Sequence, residues 1–190
     1  MKRSLFTTII SPLGKRYNNT VKTKQRELIL NTNVSVDDYS FTNRIGVVKQ
    51  LPLYNVPYKV GDKIIVHTNV FRKFYDVYGN LKNGGSYLNE DSYSCNNDQI
   101  YAYHNGEKWV SINGRVFISP IERRSNVFID HLERFERCIG TLAIGNEVLE
   151  KEGILEGDTV GFLYGSEFKF IIDDKIMYNM PDYKVCAKYD

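Results

Sequence analysis

The sequence predicts an all-β chain made of two tandem copies of one small barrel. Three observations carry this: short aromatic and β-branched runs separated by turn residues, a scarcity of helical periodicity, and an internal repeat. Of the 190 residues, 42% are hydrophobic, which is enough apolar material for one large or two small domains and excludes disorder throughout. The runs KIIVHTNVF, DQIYAYH, KWVSI, RVFISP, DTVGFLYG, FKFII and YKVCAKY are rich in Tyr, Phe, Val and Ile, side chains that fit a pleated, half-buried surface. Gly79-Asn80, Asn83-Gly84-Gly85, Asn105-Gly106, Asn113-Gly114 and Gly157-Asp158 supply turns between them, as antiparallel hairpins require. Only HLERFE (131–136) and NEVLEKE (146–152) suggest helix, one or two turns each. Residues 13–27 and 31–43 lack apolar periodicity and read as mobile loops.

The repeat sets the domain plan. Ile10-Ser11-Pro12-Leu13-Gly14-Lys15-Arg16 matches Ile118-Ser119-Pro120-Ile121-Glu122-Arg123-Arg124 at an offset of 108, and Asn18 matches Asn126. Ile45-Gly46 then matches Ile139-Gly140 at 94, and Val60-Gly61-Asp62 matches Glu156-Gly157-Asp158 at 96. Asp91 to Cys95 is paired with Pro181 to Cys186 at about 91. Order is kept while the offset falls, so the copies span 1–104 and 113–190, and the drop from 108 to 94 marks a loop 14 residues shorter in the second. In each copy Gly-Asp reads as structural, Gly for positive φ and Asp for capping the turn's amides.

In this order the signals resemble the GroES-type co-chaperonin family over nearly the whole chain. The matching elements are the first strand Phe6 to Ile10, the aliphatic tripeptide Leu28-Ile29-Leu30 in a long loop, the strand Arg44-Ile45-Gly46-Val47-Val48, the turn Val60-Gly61-Asp62 with Lys63 to Val66, and the closing strand Asp98 to Ala102. The second copy supplies Arg115 to Ser119, Cys138 to Ile144, Glu156-Gly157-Asp158 with Val160 to Leu163, and Tyr183 to Lys188. Arg26-Glu27 stands where the family has Gly-Gly, and residues 71–94 exceed the family's hairpin region. The resemblance implies two GroES-like barrels with mobile loops at about 13–43 and 122–135. It further implies a homo-oligomeric ring that acts as a lid on a double-ring, GroEL-type chaperonin and assists protein folding. Leu28, Ile29 and Leu30 would grip the partner, with Val127, Phe128 and Ile129 as the second copy's equivalent. The lid itself would hold no cofactor, ATP being bound by the chaperonin, and would work in the cytoplasm, the host's if the chain is viral.

Taken alone, an apolar triplet such as Leu28-Ile29-Leu30 reads as a core strand; the polar, unpatterned flanks and its place in the repeat favour an arm. Catalytic and metal-binding sets do not emerge. His67, His104 and His131 have no i, i+4 partner or ligand spacing with the cysteines, and read as surface or hydrogen-bonded side chains. No phosphate-cradling glycine motif occurs, and Asp37-Asp38 and Asp173-Asp174 read as solvated loop residues. Three cysteines, Cys95, Cys138 and Cys186, with no CxxC pair suit reduced thiols in a cytosol. No apolar run approaches the ~20 residues of a membrane span, and MKRSLFTTII is too short and Thr-interrupted for a signal peptide. Residues 1–36 carry seven basic residues and one acidic, whereas 145–182 carry nine acidic and three basic. The basic start, with Tyr75, Tyr78, Tyr87 and Tyr93 near Arg72 and Lys73, supports an alternative, a nucleic-acid-binding barrel, which the near-neutral total and acidic second copy oppose. A non-enzymatic structural subunit, such as a viral shell or tail component, is the other alternative, because fold does not set function.

Overall fold

The computed structural model describes residues 4–17, 20–22, 27–29, 41–123, 135–173 and 175–189, of which 20–22 and 27–29 by backbone alone. The chain is mostly β and divides into two compact units, Met1–Trp109 and Val110–Asp190. The first holds β1 (Thr8–Pro12), β2 (Thr20–Lys22), β3 (Glu27–Ile29), β4 (Ile45–Gln50), β5 (Lys63–Val66), β6 (Lys73–Tyr75), β7 (Leu81–Asn83), β8 (Tyr87–Asn89), β9 (Ser92–Cys95) and β10 (Ile100–His104). Strand β11 (Trp109–Ser111) carries the chain onward. The second unit holds β12 (Arg115–Glu122), β13 (Phe135–Ile144), one short helix α1 (Glu147–Lys151), β14 (Thr159–Phe162), β15 (Phe168–Ile172), β16 (Lys175–Pro181) and β17 (Val185–Tyr189). The HLERFE stretch is not a described helix: Phe135 and Glu136 open β13, and 131–134 lie outside the described residues.

The main sheet of the first unit runs β11-β10-β5-β4-β1-β9-β8, and that of the second runs β17-β14-β13-β12-β16-β15. With β11 set aside, the two orders match strand for strand. Registers match as well. Ile10 faces Val48 and Pro12 faces Gly46, as Ile118 faces Leu142 and Pro120 faces Gly140, with a register shift just before each isoleucine. Gly46 faces Ile64 as Gly140 faces Val160. The offsets 108, 94 and 96 therefore recur as hydrogen-bonded ladders. The fourth does not: Ile10 faces Tyr93 as Ile118 faces Tyr178, and Ile65 faces Ala102 as Gly161 faces Ala187. Both give 85, so Cys95 corresponds to Met180 and Cys186 to Tyr101, which corrects the pairing of Cys95 with Cys186. Neither main sheet closes on itself among the described residues, so the barrel closure expected from sequence is not seen there.

The Gly-Asp turns have one geometry in both units. Gly61 has φ +96° and Gly157 φ +98°, the region where L side chains are strained. The Asp62 carboxylate accepts from Lys59 N and that of Asp158 from Leu155 N, each at 2.8 Å. The Leu155 amide, and then Lys188 with Nζ 2.7 Å away, hold the Asp158 carboxyl below the usual carboxylate range.

Inside the first unit, Ile10, Ile64, Phe71, Tyr93 and Ile100 are fully buried; in the second, Val116, Ile118, Leu142, Val160 and Met180 form the core. One equivalent pair changes polarity. Thr8 and Tyr58 are buried and share a 2.7 Å hydroxyl hydrogen bond, whereas Val116 and Ile154 take their places. A buried hydroxyl needs a partner, and two apolar groups of similar shape need none. Burial raises the Tyr58 hydroxyl to about 12, against a smaller lowering by Thr8. Because the folded value is raised, this contribution is complete below pH 10 and is lost as pH climbs toward 12. Tyr58→Phe is therefore expected to lose about 1 kcal/mol at neutral pH and to delete the late step of the tyrosinate absorbance titration.

Candidate functional site

The β1–β4 connection leaves the sheet after Pro12 and returns before Ile45, neighbouring positions because Pro12 pairs with Gly46. Its root is more ordered than the sequence suggests. Leu13 N donates to Ile45 O at 2.9 Å, Asn43 N donates to Arg16 O at 3.0 Å, and Tyr17 bridges Thr42. The buried Asn43 amide donates to Leu13 O and Lys15 O at 2.8 and 2.9 Å and accepts from Ile45 N at 3.0 Å. Residues 13–17 and 41–43, expected to belong to the mobile loop, thus form a pinned neck.

Arg16 fastens this neck to the β6–β7 region. Its Nε donates to Phe71 O, Nη1 to Asn83 Oδ1 at 2.6 Å and Nη2 to Arg72 O at 3.2 Å. The guanidinium also lies 5.6 and 5.2 Å from the ring centres of Tyr87 and Tyr93, a cation–π arrangement. Tyr93 is fully buried, which raises its hydroxyl above the ordinary range, with Arg16 pulling the other way. Beside it, Tyr17 OH accepts from Lys73 N at 2.6 Å. Only a planar fork can serve three acceptors and two rings. Arg16→Met is expected to cost about 2 kcal/mol and to speed amide exchange at Asn43 and Lys73, with Arg16→Lys restoring little; wild-type exchange in both variants would contradict the clamp.

Past the neck, β3 pairs antiparallel with β2, Leu28 opposite Val21 and Ile29 opposite Thr20, in a two-stranded ribbon separate from the main sheet. Leu28 and Ile29 therefore lie on described backbone, whereas Leu30 lies outside the described residues. Val127, Phe128 and Ile129 also lie outside them. In the second unit, Glu122 faces Phe135 at the loop's root, and Arg123 meets Glu136 at 3.4 Å across an exposed pair.

The tyrosines proposed to stack bases separate into two groups. Tyr87 and Tyr93 pack edge to face, 5.7 Å between centres, under Arg16, so these two serve the clamp. Tyr75 and Tyr78 are exposed on the hairpin. His67 Nδ1 accepts from Asn69 N at 3.0 Å and His104 Nδ1 from Gly106 N at 3.1 Å, while His131 and Asp37-Asp38 lie outside the described residues. Among the described residues no three His, Cys, Asp or Glu side chains gather as metal ligands, and no helix is long and apolar enough to cross a membrane. Cys95 is buried, Cys138 half-buried and Cys186 exposed, and all three are free thiols. A cleft of about 400 Å³ lined by Leu51, Pro52, Leu53, Tyr54 and Val60 opens beyond the far end of β4.

Arg16 was not visible as functional in the sequence, because its acceptors lie 55 to 67 residues away and two of them are main-chain carbonyls. Compared with known proteins, the chain matches no family model and no curated sequence.

Proposed function

We propose that the chain is a non-enzymatic, co-chaperonin-like lid that closes a double-ring chaperonin in an ATP-dependent manner, its first unit gripping the partner through Leu28-Ile29-Leu30. The observation that carries this is the tether: the β2–β3 ribbon carries Leu28 and Ile29 outside the main sheet, in a connection anchored at its neck by Asn43 and Arg16. Each aliphatic side chain contributes about 1.5–3 kcal/mol if fully buried, while ordering the segment costs about 1–2 kcal/mol per residue. A single arm therefore binds weakly and reversibly. A ring of arms binds well, because after one engages the rest are held at about millimolar effective concentration. A pinned neck shortens the stretch that must be ordered, which is what Asn43 supplies.

In this reading ATP belongs to the chaperonin, and the lid forms a ring in the cytoplasm, where its free thiols stay reduced. The test is sedimentation of the purified chain with a double-ring chaperonin. The chain alone should sediment as a ring, and the chaperonin should gain its mass with ATP and lose it without nucleotide; a chain that never co-sediments contradicts the reading.

A further inference from the structure

We propose that the β6–β7 hairpin is a second, rigid contact to the partner that the arm grips, entering an apolar depression there with Val77 and Tyr78; this rests on the reading of the arm above. The hairpin's turn is strongly ordered. Asp76 Oδ1 accepts from Tyr78 N at 3.0 Å and Asn80 N at 2.8 Å, Asp76 N donates to Asn80 O at 2.9 Å, and Gly79 N donates to Asp76 O at 2.9 Å with Gly79 at φ +77°. What this ordered turn holds out to solvent is apolar. Val77 is 93% exposed and Tyr78 86%, with Phe74 and Leu81 nearly half exposed behind them. Clustered exposed apolar side chains mark interaction surfaces, and a pre-ordered tip loses little entropy on docking.

Position identifies the partner. Ile65 near the end of β5 faces Ile45, and Pro12 faces Gly46, so the chain leaves toward the hairpin from the same end of the sheet at which the arm leaves and returns. Arg16 and Tyr17 then bind the arm's neck to Phe71, Arg72, Lys73 and Asn83, the residues flanking and forming the hairpin. A surface engaged by the arm is therefore within reach of the hairpin. Between β14 and β15 the second unit has no such prong: five residues, 163–167, separate these strands, where 67–86 separate β5 from β8. The first unit carries both elements, which assigns this two-point contact to it.

The experiment titrates a double-ring chaperonin with ATP against the wild type, Ile29→Asp, and the double variant Val77→Ser with Tyr78→Ser, reading affinity, oligomer mass and urea midpoint. The double variant is expected to bind about tenfold more weakly or worse, with mass and midpoint unchanged because both side chains are exposed. Wild-type affinity in the double variant overturns the hairpin contact while leaving the arm standing. A wild type that binds no chaperonin overturns the arm reading and the hairpin with it. Salt-sensitive capture of an oligothymidine by the wild type and not by the double variant overturns the inference in favour of nucleic acid.

Discussion

Ile29→Asp is expected to abolish ATP-dependent association with a chaperonin while leaving the assembly intact. In the proposed lid the substitution would put a carboxylate where the partner's apolar groove closes, at a cost of several kcal/mol per arm, and a ring would multiply the loss because avidity depends on every arm. Folding should hardly change, since among the described residues β3 pairs with β2 and lies outside the main sheet. Ring mass and urea midpoint should match the wild type while co-sedimentation disappears. Undiminished binding by the variant would remove Ile29 from the contact.

The largest effect on stability is expected at Gly140. A Cβ built there would lie 2.7 Å from Ser119 O and closer still to Ile118 Cγ2. Ser119 pairs with Thr141 inside the sheet and Ile118 is fully buried, so neither can withdraw cheaply. Gly140→Ala should cost about 3 kcal/mol. The equivalent Gly46 is less crowded, at 3.0 Å from Ile10 Cδ1, 3.2 Å from Ser11 O and 3.3 Å from Phe71 Cζ, and two of these are side-chain ends that can shift. Gly46→Ala should cost about 1 kcal/mol. Urea denaturation followed by Tyr and Trp fluorescence measures both, and equal costs would contradict the account of why both repeats keep glycine.

Much of the fold was legible because a repeat constrains ladders. Ile10 with Ile118, Gly46 with Gly140 and Gly61 with Gly157 are positions where burial, close approach or positive φ restricts the residue type, and those restrictions survive divergence. The closing strands, Asp98 to Ala102 and Tyr183 to Lys188, were matched at the observed offset, but Asp91 to Cys95 was misaligned because Asp91-Ser92-Tyr93 and Pro181-Asp182-Tyr183 look alike as strings, while the real correspondence is carried by ladder partners, Tyr93 with Tyr178 and Ala102 with Ala187. Those pairs share one offset, 85. The neck at 13–17 was misread as loop because its order comes from Asn43 and from carbonyls of residues 71 and 72, contacts that leave no local pattern. The hairpin left its Gly79-Asn80 turn and its length, residues 71–94, as traces, but nothing local marks its apolar tip as exposed.

The central claim is that the segment around Ile29 is the partner contact, and a photo-reactive amino acid placed at position 29 tests it most directly. Irradiation of the assembled chain with a double-ring chaperonin and ATP should cross-link position 29 to the chaperonin, with yield falling to background when nucleotide is omitted. Cross-links confined to this chain's own residues, whatever the nucleotide, would contradict the lid and leave a structural subunit as the reading of the tandem repeat.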